Sequence, residues 1–157
     1  GAGLKMPEAK GSIIGFGDVH TRIHIYRAII EGIGYALYEG LKKIEKKSRH
    51  RIEKIMISGG GSQSDVICQI TADIFNRPVY RVQTYETSGL GAAIIGYVSK
   101  GDYTNYEEAV KHMVKKQDEF LPNSKNVTIY KHFYHKVYKK LYKRYLHGQL
   151  TIRIKRA

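Results

Sequence analysis

A chain of 157 residues, 42% hydrophobic and 26% charged, has room for one globular domain and little more. No stretch approaches the roughly 20 consecutive apolar residues of a membrane helix, and residues 1–10 lack the apolar segment of a signal peptide. The single cysteine, Cys68, excludes an internal disulfide and a multi-thiolate metal cluster. A reducing cytoplasm is therefore expected. The net charge of +13 is uneven, because no Asp or Glu occurs from Asn126 to Ala157 while basic residues run from Lys131 to Arg156. The excess belongs to a tail, and the body is judged without it.

After a Gly- and Pro-punctuated entry (1–17), Ile25, Tyr26, Ile29, Ile30, Ile33, Leu37, Leu41 and Ile44 recur at steps of three and four. This predicts a helix from near Thr21 with one apolar stripe about six turns long. Residues 51–58 read as a short strand (Ile52, Ile55, Met56, Ile57) running into Gly59-Gly60-Gly61. Ser62 is placed to cap a second helix carrying Val66, Ile67, Ile70, Ile74 and Phe75, which Asn76-Arg77-Pro78 ends. Val79–Val82 is a second strand. Residues 88–98, with Gly89, Gly91, Ala92, Ala93 and Gly96, suit a helix packed closely on a sheet. Residues 106–120 and 129–146 read as two further helices. Alternating strands and helices predict an α/β fold, with parallel strands covered by helices. Two strands are too few for a sheet buried on both faces, so strands from outside this chain are expected to complete it.

The run Ser58-Gly59-Gly60-Gly61-Ser62-Gln63-Ser64-Asp65 puts a glycine turn between a strand and a helix. Glycine lets a ligand approach the main chain closely, and the following helix points free N–H groups and its positive dipole end at the turn. A tight turn with no ligand is the competing reading. A Walker loop is excluded, since no Lys follows the glycines. A dinucleotide fingerprint would want Gly or Ala where Ser64 stands, although Glu86 near the end of the next strand keeps that reading open.

Three ordered segments carry a resemblance. Gly11-Ser12-Ile13-Ile14-Gly15-Phe16, followed by His24-Ile25-Tyr26-Arg27-Ala28-Ile29-Ile30-Glu31-Gly32, resembles the second signature of the FGGY carbohydrate kinases. Ser58-Gly59-Gly60-Gly61-Ser62-Gln63-Ser64 resembles that family's adenosine motif. Glu86-Thr87-Ser88-Gly89-Leu90-Gly91-Ala92-Ala93 is similar to its Glu-x-x-Ala-Leu-Gly-Ala-Ala segment, and Tyr130, Tyr134, Tyr138 and Tyr142 match its Tyr-rich final helix. The resemblance covers residues 7–150. Phe16 replaces the usual Leu, Gly89 the usual Ala, and Ser64 stands where some members carry Asn.

What the resemblance implies is part of an actin-like (ribonuclease-H-like) domain, with the sheet incomplete in this chain. Residues 1–157 would be the second half of the C-terminal nucleotide-binding domain of a larger kinase, with a basic helix at about 129–147 closing the chain. That kinase would transfer phosphoryl from ATP to a sugar or polyol hydroxyl. Gly59, Gly60 and Gly61 would face the ribose and α-phosphate, Ser64 would reach the adenine edge, and Gln63 would lie beside it. Glu86 and Gly91 would hold the fold. Family members place the catalytic base, the sugar site and the γ-phosphate hairpin in the preceding part, so no catalytic residue is expected here. Asp18, Asp65 and Asp73 match no catalytic position. Mg²⁺ is implied with its ligands outside this chain. The partners would be ATP or ADP and, through the preceding part, the sugar, with no membrane and no nucleic acid. A homodimer of the full-length enzyme is left open.

Plainer roles account for the other groups. Arg27 and Glu31, at i and i+4, suit an ion pair. His20 and His24 lack the intervening Glu of a metalloprotease helix and suit capping or solvent. Cys68 lies on the apolar side of its helix. In the tail, Tyr130, Phe133, Tyr134, Val137, Leu141 and Tyr145 form a stripe that is expected to dock on the sheet. A nucleic-acid-binding tail, with basic residues interleaved among aromatics, is the alternative.

Overall fold

The computed structural model describes residue 13 and residues 15–141. Gly11, Ser12 and Ile14, and the tail from Tyr142 onward with Tyr145 and the basic residues from Lys143 to Arg156, lie outside the described residues. Helix α1 spans Arg22–Ser48. Its entry is fixed by two histidines, as their spacing suggested. His24 Nδ1 accepts from the Thr21 N–H and His20 Nδ1 from the Gly17 N–H, both at 3.0 Å.

The apolar stripe of α1 is divided. Tyr35 and Leu41 are buried, with Ile30 and Tyr38 packed against the same core, whereas Tyr26, Ile29, Ile33, Leu37 and Ile44 are each more than half exposed. What periodicity suggests as one stripe is a wide apolar arc with one side covered. Gly34 lets α1 cross helix α2 closely, since a Cβ there would meet Ile74 Cδ1 at 2.7 Å.

Strand β1 (Ile55–Ile57) leads through Gly59 into a single 3₁₀ turn, Gly60–Gln63, and then into α2 (Asp65–Phe75). Ser62 does not cap α2. Its hydroxyl donates back to the Gly59 carbonyl at 2.7 Å and is buried in the turn. The 3₁₀ turn delays the helix, and Ser64 becomes the cap, its Oγ accepting from the Ile67 N–H at 3.4 Å. Asn76, in the left-handed conformation with φ 49°, ends α2 before Pro78.

Strand β2 (Val79–Val82) is followed by α3 (Thr87–Lys100) and α4 (Tyr106–Met113). Helix α3 packs on α4, not tightly on the sheet as its small residues suggested. Gly89, Gly91 and Gly96 have open space where a Cβ would stand, and Ile94 is the only buried residue of the helix. The helix expected over 106–120 stops at Met113, and Lys116–Phe120 is a strand, β3. Its sequence Lys-Gln-Asp-Glu-Phe has no apolar alternation. Pairing holds it to β2: Asp118 accepts from Arg81 Nε at 2.7 Å, and the Lys116 ammonium sits 4.0 Å from the Tyr80 ring centre.

The sheet runs β1-β2-β3, with β1 and β2 parallel and β2 and β3 antiparallel. It is thus mixed, where parallel strands were expected. Ile55 faces Val79 and Met56 faces Tyr80, while Val79 faces Phe120 across the other pair.

Helix α5 (Ser124–Phe133), capped by Asn123, begins five residues before the expected position and passes into a π-helical turn, Tyr134–Tyr138. Tyr130 and Tyr134 are buried and Tyr138 packs beside them, while Phe133, Val137 and Leu141 are exposed. The buried face therefore follows steps of four along the tyrosines, because the wider π turn holds those residues in one row. It docks on α1 and α2 instead of the sheet. Tyr130 OH donates to Glu31 Oε1 at 2.9 Å and accepts from Arg27 Nη2 at 2.8 Å, joining the Arg27–Glu31 ion pair. Tyr134 OH donates to Glu39. From α2, the buried carboxylate of Asp73 accepts from Asn123 N–H and Asn126 Nδ2 at 2.8 Å and from Gln69 Nε2 at 3.0 Å. These bonds satisfy a buried charge and pin the start of α5.

Candidate functional site

The glycine turn sits at the C-terminal end of β1, where a parallel strand delivers the chain to a helix N-terminus. Gly59 has φ 87° and ψ 179°, a conformation essentially reserved for glycine. Gly60 and Gly61 have ordinary φ, so the backbone does not require glycine at either position. A Cβ built on Gly59, Gly60 or Gly61 would meet no atom within 4 Å. The turn therefore presents bare main chain to open space. The N–H groups of Gly60 and Gly61, first in the 3₁₀ turn, have no acceptor within it.

Ser64 is half-buried at the N-cap of α2, and Gln63 beside it is exposed. One lone pair of Ser64 Oγ is taken by the Ile67 N–H, which leaves its hydroxyl proton free to donate outward. All five residues expected at the site thus lie together, on one turn and its cap.

Arg81 is the residue that sequence reasoning missed. From β2 it donates to the Ser62 carbonyl through Nη1 at 2.9 Å, to Asp65 through Nη2 at 2.8 Å and to Asp118 through Nε at 2.7 Å. Bonds to Asp118 and Asp65 hold its guanidinium above the usual value. It fastens the glycine turn to α2 and to β3. The one signal in the sequence was a charge inside the strand Val79-Tyr80-Arg81-Val82. Beneath the turn Cys68 is fully buried and its Sγ donates to the Ser62 carbonyl at 3.3 Å; burial pushes its thiol up, against the pull of Arg81. It is a packing residue, as expected.

A shallow cleft of about 290 Å³ adjoins the turn, lined by Gln63, Arg81, Gln83, Tyr85 and Gln117 among others. A second, open hollow of about 340 Å³ lies at the opposite end of β1, with Arg77 and its 2.8 Å ion pair with Glu45 in its lining. There α1 and α2 both end, and Arg49, His50 and Arg51 complete the lining. Glu86 is exposed at the start of α3, and Gly91 is half-buried within that helix.

Comparison with known proteins gives this geometry its setting. The profile of the FGGY family of carbohydrate kinases, C-terminal domain, matches residues 2–99. The xylulose kinase of Staphylococcus epidermidis RP62A is 36% identical over 136 residues, which are 87% of this chain and 27% of that enzyme. Gluconate kinase from Lactobacillus acidophilus superposes with a TM-score of 0.70 at 26% identity, covering 89% of this chain and 27% of that structure. Xylulose kinase from Rhodospirillum rubrum superposes at 0.75, over 92% of this chain and 29% of its own, and at 24% identity shows the shared fold. The chain thus spans little more than a quarter of the relatives it matches. Its α/β architecture with a partial sheet is theirs, the actin-like fold that the motifs implied. On its motifs, its profile match and its fold, the chain belongs to the FGGY family of carbohydrate kinases and matches their C-terminal domain over residues 2–99.

Proposed function

We propose that this chain is the second half of the nucleotide-binding domain of an ATP-dependent kinase, and that the turn at Gly59, Gly60 and Gly61 carries the adenosine and α-phosphate of ATP. That kinase phosphorylates a sugar or polyol hydroxyl. The observation that carries the reading is the bare main chain of the turn, with free space over three glycines of which Gly59 alone needs to be glycine for its backbone. Glycine at Gly60 and Gly61 then has a use only if something approaches the main chain there. The α-phosphate accepts from their N–H groups at the start of the turn, and the positive end of α2 reinforces it. Ser64 donates its hydroxyl proton to the adenine edge and Gln63 borders it.

A divalent metal, when bound, neutralises phosphate charge during transfer. The residues present do not cage one. Among the described residues no three metal-binding side chains stand together, and Asp65 beside the turn is engaged by Arg81. Mg²⁺ would ride on the phosphates, with protein ligands from the rest of the kinase. No helix among the described residues is long and apolar enough to cross a membrane. The one cysteine, a free and buried thiol, suits the reducing cytoplasm, where we place the kinase. The nucleic-acid and dinucleotide readings gain no support from the fold or the relatives.

Two measurements test the proposal. The 157-residue chain alone, assayed with ATP and a panel of pentoses, hexoses and polyols, is expected to show background turnover, because on this reading the base and the γ-phosphate donors belong to the rest of the kinase. Turnover that tracks the purified chain would refute the division of labour. In the whole kinase, Ser64→Ala should weaken ATP and ADP alike by about 2- to 13-fold, the worth of one neutral hydrogen bond of roughly 0.5–1.5 kcal/mol. Unequal effects on the two nucleotides would move Ser64 away from the part they share.

A further inference from the structure

We infer that the hollow at the far end of β1 is a second anion site, built by Arg49, His50 and Arg51 on a frame set by Arg77, and that it takes a small soluble molecule carrying two phosphate groups. It is separate from the glycine turn, since the two lie at opposite ends of β1 and share no residue.

Charge is the first observation. Residues 42–54 hold seven Lys or Arg against two Glu. The rest of the first 125 residues holds eleven Lys or Arg against twelve Asp or Glu, so this stretch carries the whole positive excess of the body. Charge gathered at one end of a fold makes a field that draws anions. Helices α1 and α2 both end here, and their carbonyl ends oppose an anion with roughly half a charge each. Lys46 and Lys47, in the last turn of α1, offset that effect, and every guanidinium brings a whole charge against it.

The frame is the second. Arg77 donates through Nε to the Ile52 carbonyl, through Nη1 to the Phe75 carbonyl at 3.2 Å and through Nη2 to Glu45 at 2.8 Å. Glu45 also accepts from the Ile52 N–H at 2.9 Å, and Ser48 Oγ accepts from the His50 N–H at 3.2 Å. The side chains of Arg77 and Glu45 are only 12% and 22% exposed, so this brace is shielded. It fastens the chain from Ser48 to Ile52 to the ends of both helices. The hydrogen bond from Arg77, and then that from the Ile52 N–H, hold the Glu45 carboxyl below its usual value. Glu45 thus neutralises Arg77 and leaves the neighbouring cations unmatched.

Three exposed residues stand on this frame. Arg49 is the C-cap of α1 with φ 58°, a left-handed conformation in which Gly or Asn is usual. An arginine is held there against the preference of the backbone, and among the described residues its guanidinium has no hydrogen-bond or ion-pair partner. Arg51 meets Glu53 at 3.4 Å with both side chains largely exposed, a contact that water and salt weaken. His50 adds a ring N–H between them. A guanidinium offers a planar fork of donors that grips one phosphate through two parallel bonds. Two arginines two residues apart therefore suit two phosphate groups better than one. At about 340 Å³ the hollow has space for such a molecule. Its cations ring one spot instead of following a track, which favours a compact ligand over a polymer.

Pyrophosphate is the probe, titrated into the whole kinase and followed by calorimetry and amide exchange. It should slow exchange at residues 49–52 and bind at least about 10-fold more tightly than inorganic phosphate, because it engages both arginines. The double variant Arg49→Gly and Arg51→Gln should weaken pyrophosphate at this site by at least about 10-fold while ADP affinity stays within about 2-fold. Glycine suits the left-handed backbone, so this variant keeps the fold. Lys111→Gln with Lys115→Gln removes the same charge elsewhere and should change pyrophosphate binding by less than about 2-fold. Protection confined to residues 59–64 would place pyrophosphate at the glycine turn alone, and equal losses in the two double variants would reduce the hollow to unspecific charge. Either result overturns the proposal. So would a fall in ADP affinity on losing Arg49 and Arg51, or a short single-stranded oligonucleotide that binds the kinase where pyrophosphate does not.

Discussion

Replacing Gly60 by valine is expected to cost the whole kinase roughly 100-fold in affinity for both ATP and ADP, about 2.7 kcal/mol, with sugar affinity unchanged. The branched side chain would project into the space that a phosphate or ribose must enter to meet the Gly60 and Gly61 N–H groups. Hydrogen bonds to a charged partner contribute roughly 1.5–3 kcal/mol, so losing one accounts for most of the effect. The substitution is diagnostic because the fold itself has no objection to it. Gly60 has an ordinary φ, and nothing stands within 4 Å of a Cβ there. Stability should therefore change by less than about 1 kcal/mol. Gly59→Val is the contrast, since φ 87° would strain any side chain by roughly 1–3 kcal/mol and lower stability directly. Isothermal titration of nucleotide and sugar, with a thermal melt of each variant, separates the two. A Gly60→Val kinase that binds ATP normally, or loses sugar instead, would show that the nucleotide lies elsewhere.

Truncating Tyr134 to alanine should destabilise the chain by roughly 3–5 kcal/mol, the range for deleting a buried aromatic side chain. Tyr134 is 2% exposed, touches the rings of Tyr35, Tyr38 and Tyr138, and donates to Glu39. Phe133→Ala and Leu141→Ala should each cost less than about 1 kcal/mol, although both residues belong to the stripe visible in the sequence. Urea unfolding of the three variants ranks them, and an equal cost at Phe133 would restore the simple stripe. Alkali should act on the same cluster. Burial first, and then the bond to Glu31, pushes the Tyr130 phenol up to about 12 from an ordinary 10.0, and Tyr35 and Tyr134 are raised too. A raised phenol stabilises the fold fully below the unfolded value. That contribution drains away as pH climbs from about 10 toward 12, because the unfolded chain releases its protons first.

The sequence disclosed elements whose signals are local. The periodicity of α1, the glycine turn, and the stop at Asn76-Arg77-Pro78 each act within a few residues, and each appears in the structure. What escaped depends on partners far along the chain. Lys116–Phe120 has no strand pattern of its own and is held by Arg81 and Tyr80 of β2. Ser62 and Ser64 are both sound caps by type, and only the 3₁₀ turn between Gly60 and Gln63 decides for Ser64. The tail stripe merged two sides of its helix, because steps of three brought in Phe133, Val137 and Leu141, which are exposed, whereas the buried row of Tyr130, Tyr134 and Tyr138 runs in steps of four into a π turn. At the candidate site the five turn residues were legible as a motif, while Arg81, which fastens the turn, was not, since its three acceptors lie on the turn, α2 and β3.

The bond network joining Arg27 and Glu31 to Tyr130 spans about a hundred residues, from the first helix to the last one described. During synthesis, therefore, the core face of α1 emerges long before its cover. Tyr35 and Leu41 must wait for Tyr130 and Tyr134, and at about 5–20 residues per second that delay lasts several seconds on the ribosome. Contacts of such long sequence separation also slow folding once the chain is free, because the loop must close before the contacts reward it. The last helix is in this sense the latch of the first. A message cut short after β3 would yield a chain with its glycine turn intact and its longest helix bare on the core side as well as along its exposed apolar side, a species prone to aggregate and a natural target for chaperones.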